Sequence, residues 1–242
     1  MRITARLAVI AVLGLAGAAG FGALGIWQVQ RMVWKRDLIA RVEARIHAAP
    51  VPAPGPSLWP GVAAQDYLRV TATGHFEHER ETLVQAVTEL GGGFWVLTPL
   101  RAADGFTVLV NRGFVPPERR RRDSRAAGLP EGPVTVTGLL RPSEPGGAFL
   151  RHNDPAAGRW YSRDVAAIAV HAGLDGAAPY FIDADASANP GGWPVGGLTI
   201  VRFRDHHLVY ALTWFALALM VVLAAGFVLR WEWRRRPAGA EP

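Results

Sequence analysis

The sequence predicts a membrane protein in which two transmembrane helices enclose a mainly antiparallel β-rich domain of α+β character, with its sheet either open or closed into a barrel. Two long uncharged segments, one near each end of the chain, indicate the helices. Between them, short alternating segments separated by turn residues indicate the strands, and Arg163–Ala172 is the one helical stretch. The 242 residues include no cysteine, which excludes disulfides, thiolate metal sites and covalently attached c-type haem.

The first transmembrane helix is predicted within residues 1–26, because Leu7–Ile26 provides about 20 residues without a charge. A cleaved signal peptide is the alternative, with Leu7–Leu15 as its apolar region and Ala16–Ala18 as its cleavage site. The apolar character continues past that site to Trp27, a residue typical of the membrane interface, and this favours a retained anchor.

The second transmembrane helix is predicted over residues 207–230, where Leu208–Leu229 contains about 22 uncharged residues and is long enough to cross a hydrocarbon core. A basic tail, residues 231–242, follows it. The arginines after this helix favour cytoplasmic termini and an extra-cytoplasmic central domain. A chain start that leads almost directly into the first span favours a bacterial plasma membrane over a mitochondrion.

Residues 27–60 are predicted to form an amphipathic stalk helix, to about Ala48, followed by an extended Pro-rich linker from Pro50 to Pro60. On the preceding span, small residues at every fourth position form a ridge that another helix can approach closely. The ridge consists of Gly14, Ala18 and Gly22. We expect the second span, or a partner subunit, to pack there.

The extra-cytoplasmic domain is predicted over residues 61–206, with six or seven short strands. The strand candidates are Tyr67–Thr73, Thr82–Val87, Phe94–Leu100, Phe106–Asn111, Val134–Leu140, Tyr180–Ile182 and Leu198–Phe203. Ala103–Gly105 should form the turn of a hairpin. Pro116–Gly132 contains five arginines, Arg119 to Arg122 and Arg125. It should be an exposed loop, either solvated or docked on an acidic partner.

The entry to the second span carries the best candidate for a binding site. His207, Tyr210 and Trp214 stand at i, i+3 and i+7, a spacing that places three aromatic rings on one face of a helix. Imidazole is a common ligand of metal ions and of haem iron, so His207 is the candidate metal ligand. The simpler interpretation is an interfacial belt of amphipathic aromatic residues.

Four residues after the first span complete the candidate cofactor site: Trp27, Gln28, Arg31 and Lys35. Gln28, Arg31 and Lys35 fall on one helical face, where the two cations are able to hold carboxylates such as haem propionates beside the membrane. The alternative is a stalk whose cations lie near anionic lipid headgroups.

The sequence offers little support for an enzyme, because it contains none of the common nucleophile, zinc-protease or nucleotide-binding motifs. His75 and His78 could hold a metal, although a solvent-facing turn is the simpler interpretation. Asp183 and Asp185 could act as an acid–base pair, but no partner for them is evident. The net charge of +6 does not indicate nucleic-acid binding, because the arginines cluster at the membrane flanks and in one loop.

Several separated blocks resemble the surfeit locus protein 1 family, the membrane-anchored assembly factors of cytochrome c oxidase. The blocks are Leu24–Arg31, Trp34–Lys35, Gly74–Phe76, Gly93–Leu100, Val108–Pro116, Arg141–Glu144, Trp160–Asp164, Pro194–Gly197 and His207–Phe215. The blocks follow the family order, with two predicted spans around one domain, and together they extend over nearly the whole chain. The resemblance implies a non-enzymatic role in the maturation of oxidase subunit I.

The family resemblance also implies binding of haem a, through the histidine that precedes the second span, which is His207 here. Tyr210 and Trp214 match the family positions that follow it. The family usually has asparagine just before this histidine, whereas this chain has Asp205 and His206, so His206 is a second candidate ligand. The partners implied are subunit I, haem a synthase and membrane lipid, and the alternative function is a haem-free scaffold that steadies subunit I.

Overall fold

The computed structural model describes residues 2–148, 150–199 and 205–235. The chain divides into two compact units, Met1–Arg41 with Arg202–Pro242, and Val42–Val201. Its α-helices are α1 (Arg2–Ile46), α2 (Val165–His171) and α3 (His207–Arg234). Its strands are β1 (Val51–Pro52), β2 (Arg69–Phe76), β3 (Thr82–Thr88), β4 (Gly91–Ala102), β5 (Thr107–Val115), β6 (Pro133–Pro142) and β7 (Ala177–Ala184).

The first unit contains two helices that are long and apolar enough to cross a membrane. Their membrane-spanning candidates, Ala5–Ile46 and His207–Arg234, have mean hydropathies of 2.2 and 2.5 in their most apolar windows. α1 runs without interruption past Trp27, so the predicted span and stalk are one helix. This continuity agrees with the absence of proline and of consecutive glycines between Gly25 and Ile46.

The two helices pack against each other in antiparallel fashion, because residues later in α3 contact residues earlier in α1. A Cβ on Gly25 would lie 2.5 Å from the Phe215 ring, and one on Gly14 would lie 2.7 Å from Ala225 Cβ. No atom lies within 4 Å of a Cβ built on Gly22. Among the described residues, α3 therefore approaches the predicted ridge at Gly14, whereas the space beside Gly22 is open.

Five strands of the second unit form a closed barrel in the order β2–β6–β7–β5–β4, with β2 pairing again with β4 to complete it. All neighbours are antiparallel except β5 and β7, which are parallel. β3 extends the sheet from β4, and β1 pairs with β2. The prediction of a mainly antiparallel, barrel-like domain is thus confirmed.

Gly74 lies where β2 leaves one neighbour for the other, pairing with Val134 of β6 and with Ala102 of β4. A Cβ at Gly74 would lie 2.1 Å from the carbonyl oxygen of Arg101, so only glycine permits this approach. The sequence prediction ended the strand at Gly74. Instead, glycine allows β2 to continue to Phe76 and to close the barrel.

Two apolar clusters cover the two faces of the barrel wall. Val108 and Val110 of β5 point into the barrel with Val70, Leu100 and Leu140, whereas Leu109 packs outside. The outer cluster places Trp160, Val165 and Ile168 of the α2 region against the wall. Every residue of β5 is buried, as expected for a strand covered on both faces.

One end of the barrel is closed by a 3-10 helical segment, Pro56–Gln65. Trp59 packs edge-on against Phe106, and its indole nitrogen donates to the carbonyl of Pro54. The prediction of an extended linker through Pro60 is therefore wrong for its second half, because Pro56 begins a helical turn whose apolar side chains cover the core. The last strand candidate, Leu198–Phe203, lies largely outside the described residues, and Leu198 and Thr199 are not in a strand.

Candidate functional site

His207 begins α3 and faces α1, where its Nδ1 atom lies 2.7 Å from Oε1 of Gln28. In this amide orientation Nδ1–H donates and Gln28 Oε1 accepts, which leaves the lone pair of the ring on Nε2. Within the described residues, no hydrogen-bond partner is found for Nε2. A histidine whose other nitrogen donates to a carbonyl oxygen is the arrangement that metal-ligating histidines use to fix their orientation.

Asp205 fixes the start of α3 and thereby the position of His207. Its Oδ1 accepts the backbone N–H of His207 at 3.2 Å, and its Oδ2 lies 3.7 Å from Nε of Arg36 on α1. His206, which lies between Asp205 and His207 in the chain, occupies the N-cap position and is exposed. The sequence analysis missed this role of Asp205 and of Arg36. The available signal was an aspartate two residues before the first helical residue, a common capping pattern.

The predicted aromatic face is divided in the structure. Trp214 is partly buried and stacks on Phe21 of α1, with ring centroids 5.7 Å apart and an interplanar angle of 19°. Ala211 is buried between Trp214 and His207 along the same face. Tyr210 points away and is 56% exposed. His207, Ala211 and Trp214 at i, i+4 and i+7 form the face toward α1, and Tyr210, three residues after His207, lies on the exposed side of that face.

The cations of α1 follow Gln28 at one and two helical turns. Arg31 is exposed and stacks its guanidinium over Trp34, with 4.3 Å from Cζ to the ring centroid. Lys35 is partly buried, and Trp27 is 52% exposed on another face of the helix. Gln28, Arg31 and Lys35 therefore share a face with the histidine contact, whereas Trp27 does not.

A haem ligand requires an imidazole nitrogen with a free lone pair and a fixed ring, and His207 meets both conditions through Gln28. Cationic residues on the same face suit carboxylates. Tyr210 and Trp27 are largely exposed beside this face. The residues that fit the group are therefore His207, Gln28, Arg31 and Lys35, with Trp214 as the adjacent aromatic wall.

Asp183, considered above as an acid–base residue, belongs to a buried network on the barrel wall. Its Oδ1 accepts from Nδ2 of Asn111 at 2.7 Å and from Nη1 of Arg163 at 3.1 Å, and Nη1 of Arg141 lies 3.5 Å from Oδ2. The expectation that Asp183 has no partner is wrong. Through these partners the carboxylate links β5, β6 and β7.

The other candidates also have structural surroundings. His75 is exposed, His78 Nε2 lies 3.1 Å from the carbonyl oxygen of Pro130, and no cluster of potential metal ligands occurs among the described residues. Arg125 is buried and pairs with the carboxylate of Glu81. The prediction of an exposed arginine loop is thus wrong at Arg125, because the carboxylate of Glu81, just before β3, compensates its charge.

Comparison with known proteins places these features in a family. Residues 15–219 match the SURF1 family. The chain is 39% identical to surfeit locus protein 1 of Homo sapiens over 224 residues, which is 86% of this chain and 73% of that protein. It is 38% identical to surfeit locus protein 1 of Rattus norvegicus (83% and 69%) and 37% identical to a SURF1-like protein of Monosiga brevicollis (89% and 84%). The chain belongs to the SURF1 family.

Proposed function

We propose that this chain binds haem a at the start of α3 and assists its insertion into subunit I of cytochrome c oxidase. Family membership implies a role in assembly of this oxidase, and the family is one of assembly factors rather than enzymes. The observation that carries the finer proposal is the hydrogen bond between His207 and Gln28. It holds a helix-terminal imidazole in one tautomer with Nε2 free to donate to iron.

The residues around His207 suit a transient carrier. Trp214 supplies an aromatic wall, and Arg31 and Lys35 supply positive charge for carboxylates at the same helical face. A single protein ligand on one histidine favours weak binding, and weak binding permits transfer to the oxidase subunit. His206 is adjacent but exposed, whereas His207 is held by Gln28, so we assign ligation to His207.

The location belongs to the proposal as well. Two helices able to cross a membrane are consistent with a membrane protein. We place both termini in the cytoplasm of a bacterial cell and the barrel outside the plasma membrane, because arginines follow α3. Membrane lipid, subunit I and haem a synthase are then the proposed partners.

The test is the visible absorption spectrum of the detergent-purified full chain from cells that synthesise haem a. Wild type and His206→Ala should carry haem a, His207→Ala should lose it, and circular dichroism should show that all three are folded. Gln28→Leu should lower occupancy by about tenfold, since removal of a ligand's hydrogen-bond partner costs 10–100-fold in affinity. A haem-free wild type would contradict the proposal.

A cellular test addresses the assembly role separately. Deletion of the gene should lower both the haem a content and the activity of cytochrome c oxidase in isolated membranes. Normal oxidase in the deletion strain would remove the assembly role, whatever the purified protein binds. The His207→Ala gene, returned to that strain, should restore the activity only in part.

The haem-free scaffold remains the competing function, and copurification of subunit I with a haem-free wild type would favour it. Its support in the sequence included the arginines of the 119–125 loop. Several of these have intramolecular partners: Arg121 pairs with Asp123, Arg122 with Glu79 and Arg125 with Glu81. The loop therefore offers less free positive charge to an acidic partner than the sequence indicated.

A further inference from the structure

The end of the barrel opposite Pro56–Gln65 contains a pocket of about 280 Å³. Its walls come from strands of the barrel and from the loop after β7. The barrel contributes Phe76, Val110, Arg112, Val134, Thr135, Val136, Thr137 and Ala184, and the loop contributes Asp185 and Ser187 to Pro190. The mouth of a β-barrel is a preferred place for small-ligand sites, and these walls combine apolar side chains with polar ones.

Arg112 lines this pocket with a guanidinium that is only partly bonded. The residue is 2% exposed, and its Nη2 atom donates to the carbonyl oxygen of Gly128 and to Oδ1 of Asn189. Its Nε and Nη1 atoms are buried and have no hydrogen-bond acceptor among the described residues. The Phe76 ring covers one guanidinium face at 4.7 Å from Cζ. Three N–H donors therefore remain without an acceptor, a costly state for a buried group.

The charge of Arg112 is also uncompensated. The charge of Arg125 acts on Arg112, and both carboxylate oxygens of Glu81 accept from Arg125. Among the described residues, Arg112 itself forms no ion pair. Burial lowers the pKa of Arg112 to about 10, so the group remains charged at neutral pH. Arg125 and Glu81 neutralise each other, so the charged residues of the pocket lining are Arg112 and Asp185, which form no ion pair with each other.

A second pocket shows the contrast. Arg141 and Arg163 line a cavity of about 390 Å³ on the barrel wall. Their charges are matched by Asp66, Glu144 and Asp183, with which they form ion pairs. No donor of Arg141 or Arg163 is among the buried unpaired atoms of the described residues. In the part of the chain that the structure describes, Arg112 alone has buried guanidinium nitrogens without an acceptor.

We propose that the barrel-mouth pocket binds a small organic monocarboxylate, whose carboxylate accepts from Arg112 while its apolar body contacts Val110, Val134 and Val136. Arg112 is the one cation of the lining and suits a single carboxylate, whereas the negative charge of Asp185 at the rim disfavours a doubly charged anion. An apolar cavity of about 150 Å³ holds benzene, so this pocket accepts a ligand of about the size of benzoate. Neither nitrogen has surface open to water, so the carboxylate reaches them only when a residue of the pocket lining moves aside.

The test uses the detergent-solubilised full chain and benzoate as the probe, with thermal unfolding followed by far-ultraviolet circular dichroism at constant ionic strength. Benzoate should raise the melting temperature of wild type, and neutral benzyl alcohol should not. Arg112→Gln should weaken benzoate binding at least about tenfold, as expected when one partner of a buried charged pair is removed. Arg120→Gln is the matched control, because Arg120 is exposed and stacks on Phe94 outside the pocket.

Ala188→Trp keeps the proposal testable if Arg112→Gln does not fold. Ala188 is exposed at the rim of the pocket, so the indole should block entry without removing Arg112. Loss of the benzoate effect in this variant would support the site. A wild type without any benzoate effect, or an equal effect in all variants, would overturn it. An Arg112-dependent effect that is larger with phosphate than with benzoate would overturn the assignment to a monocarboxylate.

Discussion

At the scale of single residues, Arg125 and Arg112 show two states of a buried guanidinium. The Arg125 side chain is 1% exposed and pairs with the Glu81 side chain, which is 7% exposed. Arg112 lies nearby with unpaired donors. Removal of one member of a buried pair leaves an isolated charge in the interior, which costs far more than the loss of a surface pair.

We therefore expect Arg125→Ala to lower the free energy of unfolding of the barrel domain by about 3 kcal/mol. Urea titration of the full chain in detergent, followed by tryptophan fluorescence, measures this change. Arg121→Ala is the control, because Arg121 and Asp123 are 82% and 72% exposed and the change should stay within about 0.5 kcal/mol. Equal effects of the two substitutions would contradict a buried, stabilising pair.

His78 should make the stability of the domain depend on pH. Burial lowers the pKa of His78 below its ordinary value of 6.5, and the positive charge of Arg112 acts in the same direction. Below about pH 6.5 the unfolded chain therefore takes up a proton that the folded chain resists, so stability falls as the pH falls. Urea titrations at about pH 7 and pH 5 should show a smaller loss for His78→Gln than for wild type.

His75→Gln provides the control for this titration, because His75 is exposed on the same stretch of chain. The same pH dependence in His78→Gln and wild type would contradict the assignment. The sequence indicated the two histidines but not their difference. The difference arises from burial of His78, which lowers its pKa although the carbonyl oxygen of Pro130, more than fifty residues away, acts in the opposite direction.

At the scale of elements, alternation identified most of the strands but not their partners. β3, β4, β5 and β6 are near their predicted positions, because apolar residues alternate and turn residues separate them. The pairing of β5 with β7 joins residues about 70 positions apart in parallel and has no local signature. For this reason Asn111 and Asp183 were not recognised as partners.

The Asn111–Gly113 block shows the same limit. It was interpreted as the end of a strand, whereas it lies within buried β5. Gly113 has a φ of 129°, and a Cβ there would lie 2.2 Å from the carbonyl oxygen of Val195. Glycine is therefore required at position 113, because Val195, which pairs with Phe114, leaves no space there for a side chain.

Two adjacent glycines at the start of β4 provide a test of barrel packing. A Cβ on Gly93 would lie 2.3 Å from the carbonyl oxygen of Val115 and 2.6 Å from the Phe114 ring, whereas nothing lies within 4 Å of one on Gly92. Gly93→Ala should therefore lower the free energy of unfolding by about 1–3 kcal/mol. Gly92→Ala should change it by less than about 0.5 kcal/mol. Urea titration compares them, and a neutral Gly93→Ala would show that β4 and β5 separate easily.

At the scale of the whole molecule, the order of two long apolar helices around one β-rich domain was predictable because it depends on hydropathy and length alone. The candidate site was predictable only in part. Helical spacing correctly placed His207 and Trp214 on one face, but spacing alone does not tell which side of that face meets α1. The packing of α1 on α3 makes Gln28 the hydrogen-bond partner of His207 and leaves Tyr210 exposed, and neither result follows from helical spacing.

The absence of cysteine allows a direct test of the proposed orientation, since a single introduced cysteine is the only thiol in the chain. Val87 on β3 is 89% exposed, and Trp233 near the end of α3 is 69% exposed. If the barrel lies outside the cell, a membrane-impermeant maleimide should label Val87→Cys in intact bacterial spheroplasts. It should label Trp233→Cys only after detergent is added, because arginines after α3 favour the cytoplasmic side. Rapid labelling of Trp233→Cys in intact spheroplasts, with Val87→Cys protected, would reverse the orientation and place the start of α3, with His207, at the cytoplasmic surface.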